Sequence, residues 1–363
     1  MLESLYEKAV QKKGILNKDL KHYDIKNIDV YNYWKKIKIA KSNKDFTLAA
    51  GDGSLNKKKF LSFNFYAIAS ESLIYNNELI KIENSEINII PHSKFVEDRL
   101  RNYMGIFEVK SALKLINDYD IDYYLYDGSI LGDLIRPFPL EEKIPKEVRY
   151  DLLDLFEDNL RREINSYNVE ISSSKVVNTN SKVKSHPKEL KNYNTTKYLG
   201  YLENIEKLLS LSYLLKDKEK IIAISKTSTA TDYFDLNIPD IAIFDKSKFS
   251  RETGYSSHKI KSVNEEKNIK HEFPVENDFF KSLTFTIFYV RIEKNKNILK
   301  VELPYKATED EIRDIIEIIA KDSIEGYPYL LKKAHHDVVI RKKDIEQLSK
   351  IVGLYERTGR EML

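Results

Sequence analysis

The sequence predicts an α/β fold, a mixed central sheet flanked by helices, and three observations lead there. Short runs rich in β-branched and aromatic residues alternate with long amphipathic helical patterns. Their order is three strands, a helix, a strand, a helical insertion, more strands and late helices. Two of the strand-like runs, Phe46-Thr47-Leu48-Ala49-Ala50 and Tyr123-Tyr124-Leu125-Tyr126, lead into the same tripeptide, Asp52-Gly53-Ser54 and Asp127-Gly128-Ser129.

Residues 1–45 read as a charged helical segment that contains Trp34, the only tryptophan. Phe46 to Ser54 reads as the first strand, Asn56-Lys57-Lys58-Lys59 as a polar turn, and Phe60 to Tyr75 as a long second strand. Glu86 to Ile90 reads as a short third strand stopped by Pro91. Ser93 can cap a helix running to about Asn117, with Val96, Leu100, Tyr103, Met104, Phe107 and Leu115 at helical spacing. Glu108 stands one turn from Met104 and from Ala112, so it faces apolar neighbours. Tyr123 to Asp127 is the next strand, followed by a loop reaching Pro137 and Pro139.

Helical patterns cover about 146–168 and 197–218, and the Ser-, Asn- and Lys-rich stretch Ser172 to Thr196 between them reads as a mobile excursion or surface loop. Ile221 to Ser225 is a buried-type strand ending at Lys226. Residues 282–293 and 297–303 read as a hairpin across Lys294-Asn295-Lys296. Thr308 and Glu311 form a capping box, and Pro328 can start the last helix pattern at its first position. This is the ribonuclease H plan of three antiparallel strands, helix, strand. The expected organisation is therefore an N-terminal helical segment (1–45), a ribonuclease-H-like domain (46–340) with a helical insertion at about 141–218, and a C-terminal helical tail (341–363).

Composition narrows the function. At 363 residues the chain can bury a large core, and 42% hydrophobic with 32% charged residues is a globular balance. No apolar run approaches the roughly 18 residues of a membrane span. The first residues lack a basic segment followed by an apolar core, so a cytoplasmic protein without membrane association is expected. There is no cysteine, which excludes disulfides and thiolate-held metals. With 60 basic and 57 acidic residues the net charge is only +3, so any nucleic-acid binding must use a local basic lining. The abundance of Lys, Glu, Ile and Tyr fits thermophile usage and a biased genome equally well. No phosphate-binding loop and no His-Glu-x-x-His is present, and no Ser has a neighbouring His that suggests a hydrolase triad. Asp232, Asp235, Asp240 and Asp245 lack Ca²⁺-loop spacing, and Pro239 interrupts them, so they read as turn residues.

Hydrolysis of a phosphodiester needs an activated water and relief of charge on the leaving oxygen, and two divalent ions about 4 Å apart can supply both. Mn²⁺ and Mg²⁺ favour oxygen ligands. Carboxylates at the ends of adjacent strands, joined by one from a packed helix, can hold such ions, and Asp52, Asp127 and Glu108 fit that plan. Gly53 and Gly128 leave room for a phosphate, while Ser54 and Ser129 can hydrogen-bond carboxylate or phosphate. A lone Asp-Gly is most often a turn; the carboxylates point to metal chemistry by their order together. His335 shares a helix face with Leu331 and Val338 and so points inward, whereas His336 shares one with Lys332 and Lys333 and points to solvent. His335 is the expected last ligand or proton-transfer group. Lys226 could bind a phosphate or be a surface lysine at a strand end; the residues leave both open.

These pieces resemble the NurA nucleases of archaea and some bacteria. The matching stretches are Ala50 to Ser54, Glu108, Leu125 to Ser129, Ile224-Ser225-Lys226-Thr227, Gly326-Tyr327-Pro328-Tyr329, Ala334-His335 and the tail Thr358 to Leu363. They span about residues 46–363, with Leu330 standing where the family pattern suggests proline. The resemblance implies a ribonuclease-H-like, Mn²⁺-dependent nuclease acting on single- and double-stranded DNA, including 5′ to 3′ resection. It implies a homodimer working with the hexameric ATPase HerA. It matches Asp52, Glu108, Asp127 and His335 to the metal-site positions, and Lys226 and Tyr327 to additional active-site positions. The rival readings are a ribonuclease-H-like enzyme cleaving RNA and a non-catalytic DNA-binding scaffold subunit.

Overall fold

The structure is a computed structural model and describes residues 2–21, 28–76, 78–136, 138–140, 143–179, 195–265 and 272–355. In chain order its elements are helix α1 (Glu3–Lys21), strands β1 (Trp34–Lys36), β2 (Leu48–Lys59), β3 (Phe63–Asn76) and β4 (Glu78–Pro91), helix α2 (Val96–Asp118), and strand β5 (Tyr123–Asp127). Helices α3 (Ile130–Ile135), α4 (Lys146–Asn165), α5 (Ser172–Thr179) and α6 (Thr195–Leu214) follow, then β6 (Ile221–Ser225), α7 (Asp240–Lys246), β7 (Gly254–Ser256), β8 (Lys259–Ser262) and α8 (Asn277–Ser282). The chain continues with β9 (Thr284–Arg291), β10 (Leu299–Leu303), α9 (Glu309–Asp322), the two-residue strands β11 (Ser323–Ile324) and β12 (Tyr327–Pro328), α10 (Tyr329–Val338) and α11 (Lys342–Ile351).

Ten strands form one mixed sheet in the order β1-β7-β9-β10-β6-β5-β2-β3-β4, with β8 also on β9. β2, β3 and β4 are antiparallel, while β5 runs parallel to β2 and to β6, so the expected order of three antiparallel strands, helix, parallel strand is present. Successive side chains on these strands feed opposite faces. One core joins Ala49, Ile74, Tyr124, Tyr126 and Ala223 to α2, α4 and α6. The other joins Leu48, Ala50, Leu73, Leu125 and Ile224 to α9 and α10. The sheet is thus the middle of three layers.

One topological detail places the site. β5 ends at Asp127, level with Asp52, while β2 continues to Lys59 with β3 as its partner. Parallel strands β5 and β6 therefore stop at a common rim, the position where α/β sheets hold ligands.

Several local readings are corrected by tertiary context. Asn56 to Lys59 is strand rather than turn, because Asn56 bonds the Ile340 carbonyl (2.9 Å) and residues through Lys59 pair with β3. The third strand is longer than read, Glu78–Pro91, since it follows β3 along its whole length. α2 starts at Val96 after Phe95, without a side-chain cap from Ser93. The loop after β5 contains α3, whose N-cap is Ser129. Among the described residues of 1–45, only Glu3–Lys21 is α-helix; Trp34–Lys36 is an edge strand, held by Trp34 buried against Phe244. Pro328 caps α10 rather than occupying its first turn.

The Ser172 to Thr196 stretch is not wholly a loop. Ser172–Thr179 forms α5, and the buried Glu206 carboxylate accepts from the backbone N–H groups of Ser172 (2.8 Å) and Ser173 (2.9 Å) at its start. Lys110, buried on α2, neutralises Glu206 at 2.6 Å. Residues 180–194 of that stretch, Pro137 and the tail Thr358 to Leu363 lie outside the described residues. The Thr308–Glu311 capping box is formed as expected. Asp240 is buried at the start of α7 and accepts from the N–H groups of Asp232 and Tyr233, in keeping with turn chemistry. No described helix is long and apolar enough to cross a membrane.

Candidate metal centre

Asp52, Asp127 and His335 meet at the rim of the sheet. One ligand atom from each lies within 4.8 Å of the others, a spacing a single ion can bridge. Asp52 and Asp127 share the sheet face of Ala50 and Leu125, on which α10 packs, and α10 brings His335. His335 Nδ1 is 2.7 Å from Asp52 Oδ2. The other Asp52 oxygen accepts from the Gly53 N–H at 2.8 Å. His335 stands at the mouth of the site, with its side chain 56% exposed against 9% for Asp52. It shares an edge with the core but is not packed within it, so its inward direction is a matter of contact, not of depth.

Glu108 arrives from the opposite face. α2 lies on that side of the sheet, and the carboxylate reaches the rim beside Gly53, where a Cβ would meet Glu108 Oε1 at 2.5 Å and Cγ at 2.6 Å. The absent side chain at Gly53 is therefore what admits Glu108. Tyr126 Oη donates to Glu108 Oε2 at 3.5 Å. Glu108 lines the same cavity as Asp52 and Asp127 but is not one of the three groups that converge within 4.8 Å.

The electrostatics are those of crowded, buried carboxylates. Burial, and then the neighbouring Asp127, raise the Asp52 pKa, opposed by His335 and the Gly53 N–H. Burial pushes Glu108 well above the usual carboxylate range, reinforced by Asp52 and Asp133. Carboxylates crowded in this way fit a hard divalent cation, which relieves their repulsion and accepts oxygen and imidazole donors.

The expected substrate groups divide into two sets. Lys226 Nζ donates to Asp127 Oδ2 at 3.2 Å and stands over the Tyr327 ring at 4.6 Å, so both adjoin the centre. The Tyr327 hydroxyl is buried with no hydrogen-bond partner among the described residues, and burial with Asp127 and Asp52 nearby raises its pKa. Ser54 and Ser129 are engaged elsewhere. Ser54 Oγ accepts from the Ile340 N–H at 3.1 Å. Ser129 Oγ donates to Glu302 at 2.6 Å and accepts from the Gly132 N–H at 2.9 Å. Gly128 has φ +124°, a conformation that favours glycine at the turn out of β5.

A cavity of about 310 Å³ extends from the carboxylates between α2 and α6, lined by Arg101, Arg136 and Lys207 as well as Met104, Phe138 and Leu208. Sequence reasoning missed the basic and buried members of this neighbourhood. Lys207 pairs with Asp133 at 3.0 Å, and Glu71 faces Asp52 directly across β2 and β3. The cross-strand position of Glu71 becomes readable only once the register is known.

The NurA domain family model matches residues 46–340. The chain belongs to the NurA family. A protein of Methanocaldococcus jannaschii named probable DNA double-strand break repair nuclease NurA is 32% identical over 340 residues, covering 88% of this chain and 82% of its own. The crystal structure of the NurA nuclease from Sulfolobus solfataricus superposes with TM-score 0.72 at 23% identity, over 97% of each chain. A NurA structure bound to dAMP and manganese superposes with TM-score 0.70 at 18% identity, over 100% of each chain. The α/β fold with a mixed central sheet is therefore that of the NurA structures.

Proposed function

We propose that this protein is a divalent-metal-dependent deoxyribonuclease, with Mn²⁺ or Mg²⁺ held at the rim of the sheet. The convergence of Asp52, Asp127 and His335 within 4.8 Å carries this reading, and membership in a family whose relatives are named as DNA double-strand break repair nucleases supports it. The donor set of two carboxylates and an imidazole suits Mn²⁺. A bound ion would supply charge relief at the leaving oxygen and lower the pKa of a water. Asp52, Asp127 and His335 hold it, and Glu108 adds a carboxylate beside Gly53. Lys226 places a cation at the outer side of Asp127, suited to a phosphate, and Tyr327 backs it with its ring. Ser54 and Ser129 hold the backbone at the rim and act on substrate only indirectly.

The finer reading rests on the family resemblance. It is 5′ to 3′ exonuclease and single-strand endonuclease activity in DNA end resection, as a cytoplasmic homodimer working with a HerA-type ATPase. The nuclease domain is taken as 46–340 with its helical insertion at about 141–218; 1–45 adds the edge strand β1 to its sheet, and 341–363 packs Ile345 of α11 against Phe65 and Ala67. α1 is exposed along all of Glu3–Asp19, with Leu5, Tyr6, Val10 and Leu16 uncovered, which suits a segment that a partner covers.

End-labelled DNA and RNA, incubated with Mn²⁺, Mg²⁺ or chelator, test the proposal. DNA cleavage that needs metal and disappears in Asp52→Asn is expected. Full activity of that variant defeats the site, and preference for RNA defeats the substrate class.

A further inference from the structure

Strand β10 reads Leu299-Lys300-Val301-Glu302-Leu303, an alternation that ordinarily marks one wet face. Both of its charged side chains are instead buried, Glu302 completely. Glu302 accepts from Ser129 Oγ (2.6 Å), from the Leu131 N–H (3.2 Å) and from Lys300 Nζ (2.6 Å). The reach is long. β10 pairs with β6 and β6 with β5; Glu302 is level with Ala223, and Ala223 with Tyr126. Small Ala223 leaves the row open, and the carboxylate crosses it to the turn Asp127-Gly128-Ser129 and the first turn of α3.

A buried ion pair is weak evidence for stability, because desolvation offsets much of the attraction and apolar residues of similar size often serve as well. Here the pair has a specific geometric consequence. Ser129 is fixed from both sides, by Glu302 and by the Gly132 N–H that it caps. The Gly128 N–H is fixed by the Ile224 carbonyl at 2.9 Å. The turn that carries Asp127 is thereby tied to two strands beyond its own.

We infer that Glu302, with Lys300 as its counter-charge, is a positioning residue that acts through Ser129 to aim Asp127 at the metal centre. The inference rests on the reading of that centre as a metal site. Groups that orient a ligand from behind typically account for 10–100-fold in metal affinity or activity. The assignment also gives Ser129 its role: it links the bolt to the ligand and does not touch substrate.

The test compares Glu302→Gln, Ser129→Ala, Ser129→Thr and the double variant Glu302→Gln/Ser129→Ala with the parent chain. Mn²⁺ affinity is measured by the loss of the free-ion electron paramagnetic resonance signal, and kcat and KM with single-stranded DNA. Folding is monitored by thermal melting. Expected are at least about tenfold weaker Mn²⁺ binding and lower kcat in Glu302→Gln and Ser129→Ala, with little change in KM. Ser129→Thr, which keeps the hydroxyl, restores both. The double variant should be no worse than the worse single, because both changes break one link. Additive losses, or parent-like Mn²⁺ affinity in a folded Ser129→Ala, overturn the inference. If Glu302→Gln does not fold, the Ser129 pair decides alone. Asp127→Asn separates the two levels. If it binds Mn²⁺ and cleaves like the parent, the metal-site reading fails; if it fails while Ser129→Ala is unaffected, only the positioning role fails.

Discussion

The rim of the sheet makes Gly53→Ala a sharp probe of the site. The glycine lies in β2 without a positive φ, so alanine suits its backbone conformation. The added methyl would stand 2.5 Å from Glu108 Oε1 and 2.6 Å from Cγ, where ordinary contact begins at 3.4 Å. The Glu108 carboxylate must therefore retreat by roughly 1 Å, and a misplacement of that size at a reacting centre can lower the rate about 100-fold. Because the clash runs along the Glu108 side chain from Cγ to the carboxylate and involves no backbone, the fold should lose roughly 1–3 kcal/mol, the usual range for overpacking. The assay is metal-dependent cleavage of single-stranded DNA alongside thermal melting. Activity near that of the parent chain, or a loss that merely tracks a collapse in melting temperature, would refute the claim that Gly53 is kept small for Glu108. Gly51→Ala supplies the contrast: its methyl would collide with the buried Tyr124 hydroxyl and the Glu71 backbone carbonyl, so it should destabilise the whole chain.

Other perturbations have equally definite outcomes. The raised pKa values of Asp52 and Glu108 mean that, without metal, their protonated forms favour the fold; that contribution is full below the ordinary carboxylate range and is lost as pH rises through the raised values. Mn²⁺ at a hundredfold excess over its pH 8 Kd should then add about 2.7 kcal/mol at pH 8 and, at the same concentration, progressively less as pH falls through those raised values, read as a melting-temperature shift that shrinks with pH. Asp52→Asn should lower cleavage at least about 1,000-fold while leaving the metal-free protein as stable or slightly more so, since it removes a buried charge beside Asp127. Lys226→Ala should cut cleavage about 10-fold or more and reduce the salt dependence of DNA affinity by about one ion, with the melting temperature unchanged. Deletion of residues 2–21 should leave the melting temperature of the remainder within about 2 °C, because every described side chain in that stretch is exposed.

What was legible in the sequence was what local chemistry decides. β5 and β6 were bounded correctly because short apolar runs ended at Asp127 and Lys226 leave little choice of register or length. The Asp-Gly-Ser tripeptides marked the rim because strand ends are where a carboxylate can project from a sheet. The helix face of His335 was readable, but its depth was not: periodicity gives a direction around an axis and says nothing of how close the axis lies to solvent. The missed features depend on residues remote in sequence. Ser172 and Ser173 look like loop residues until Glu206 meets their N–H groups. The Lys-rich end of β2 looks like a turn until β3 pairs with it. Lys300 and Glu302 look solvated until α3 covers their face. In each case a polar residue found its partner inside the fold, which composition cannot foresee.

The bond between Asp52 and His335 joins positions 283 residues apart. The two halves of the proposed metal centre thus leave the ribosome far apart in time: Asp52 and Asp127 emerge early, and α10 comes only after most of the chain has been made. An unfinished chain that stops before α10 carries the carboxylates but lacks the imidazole that meets them. The candidate centre is therefore complete only in a chain that extends through α10.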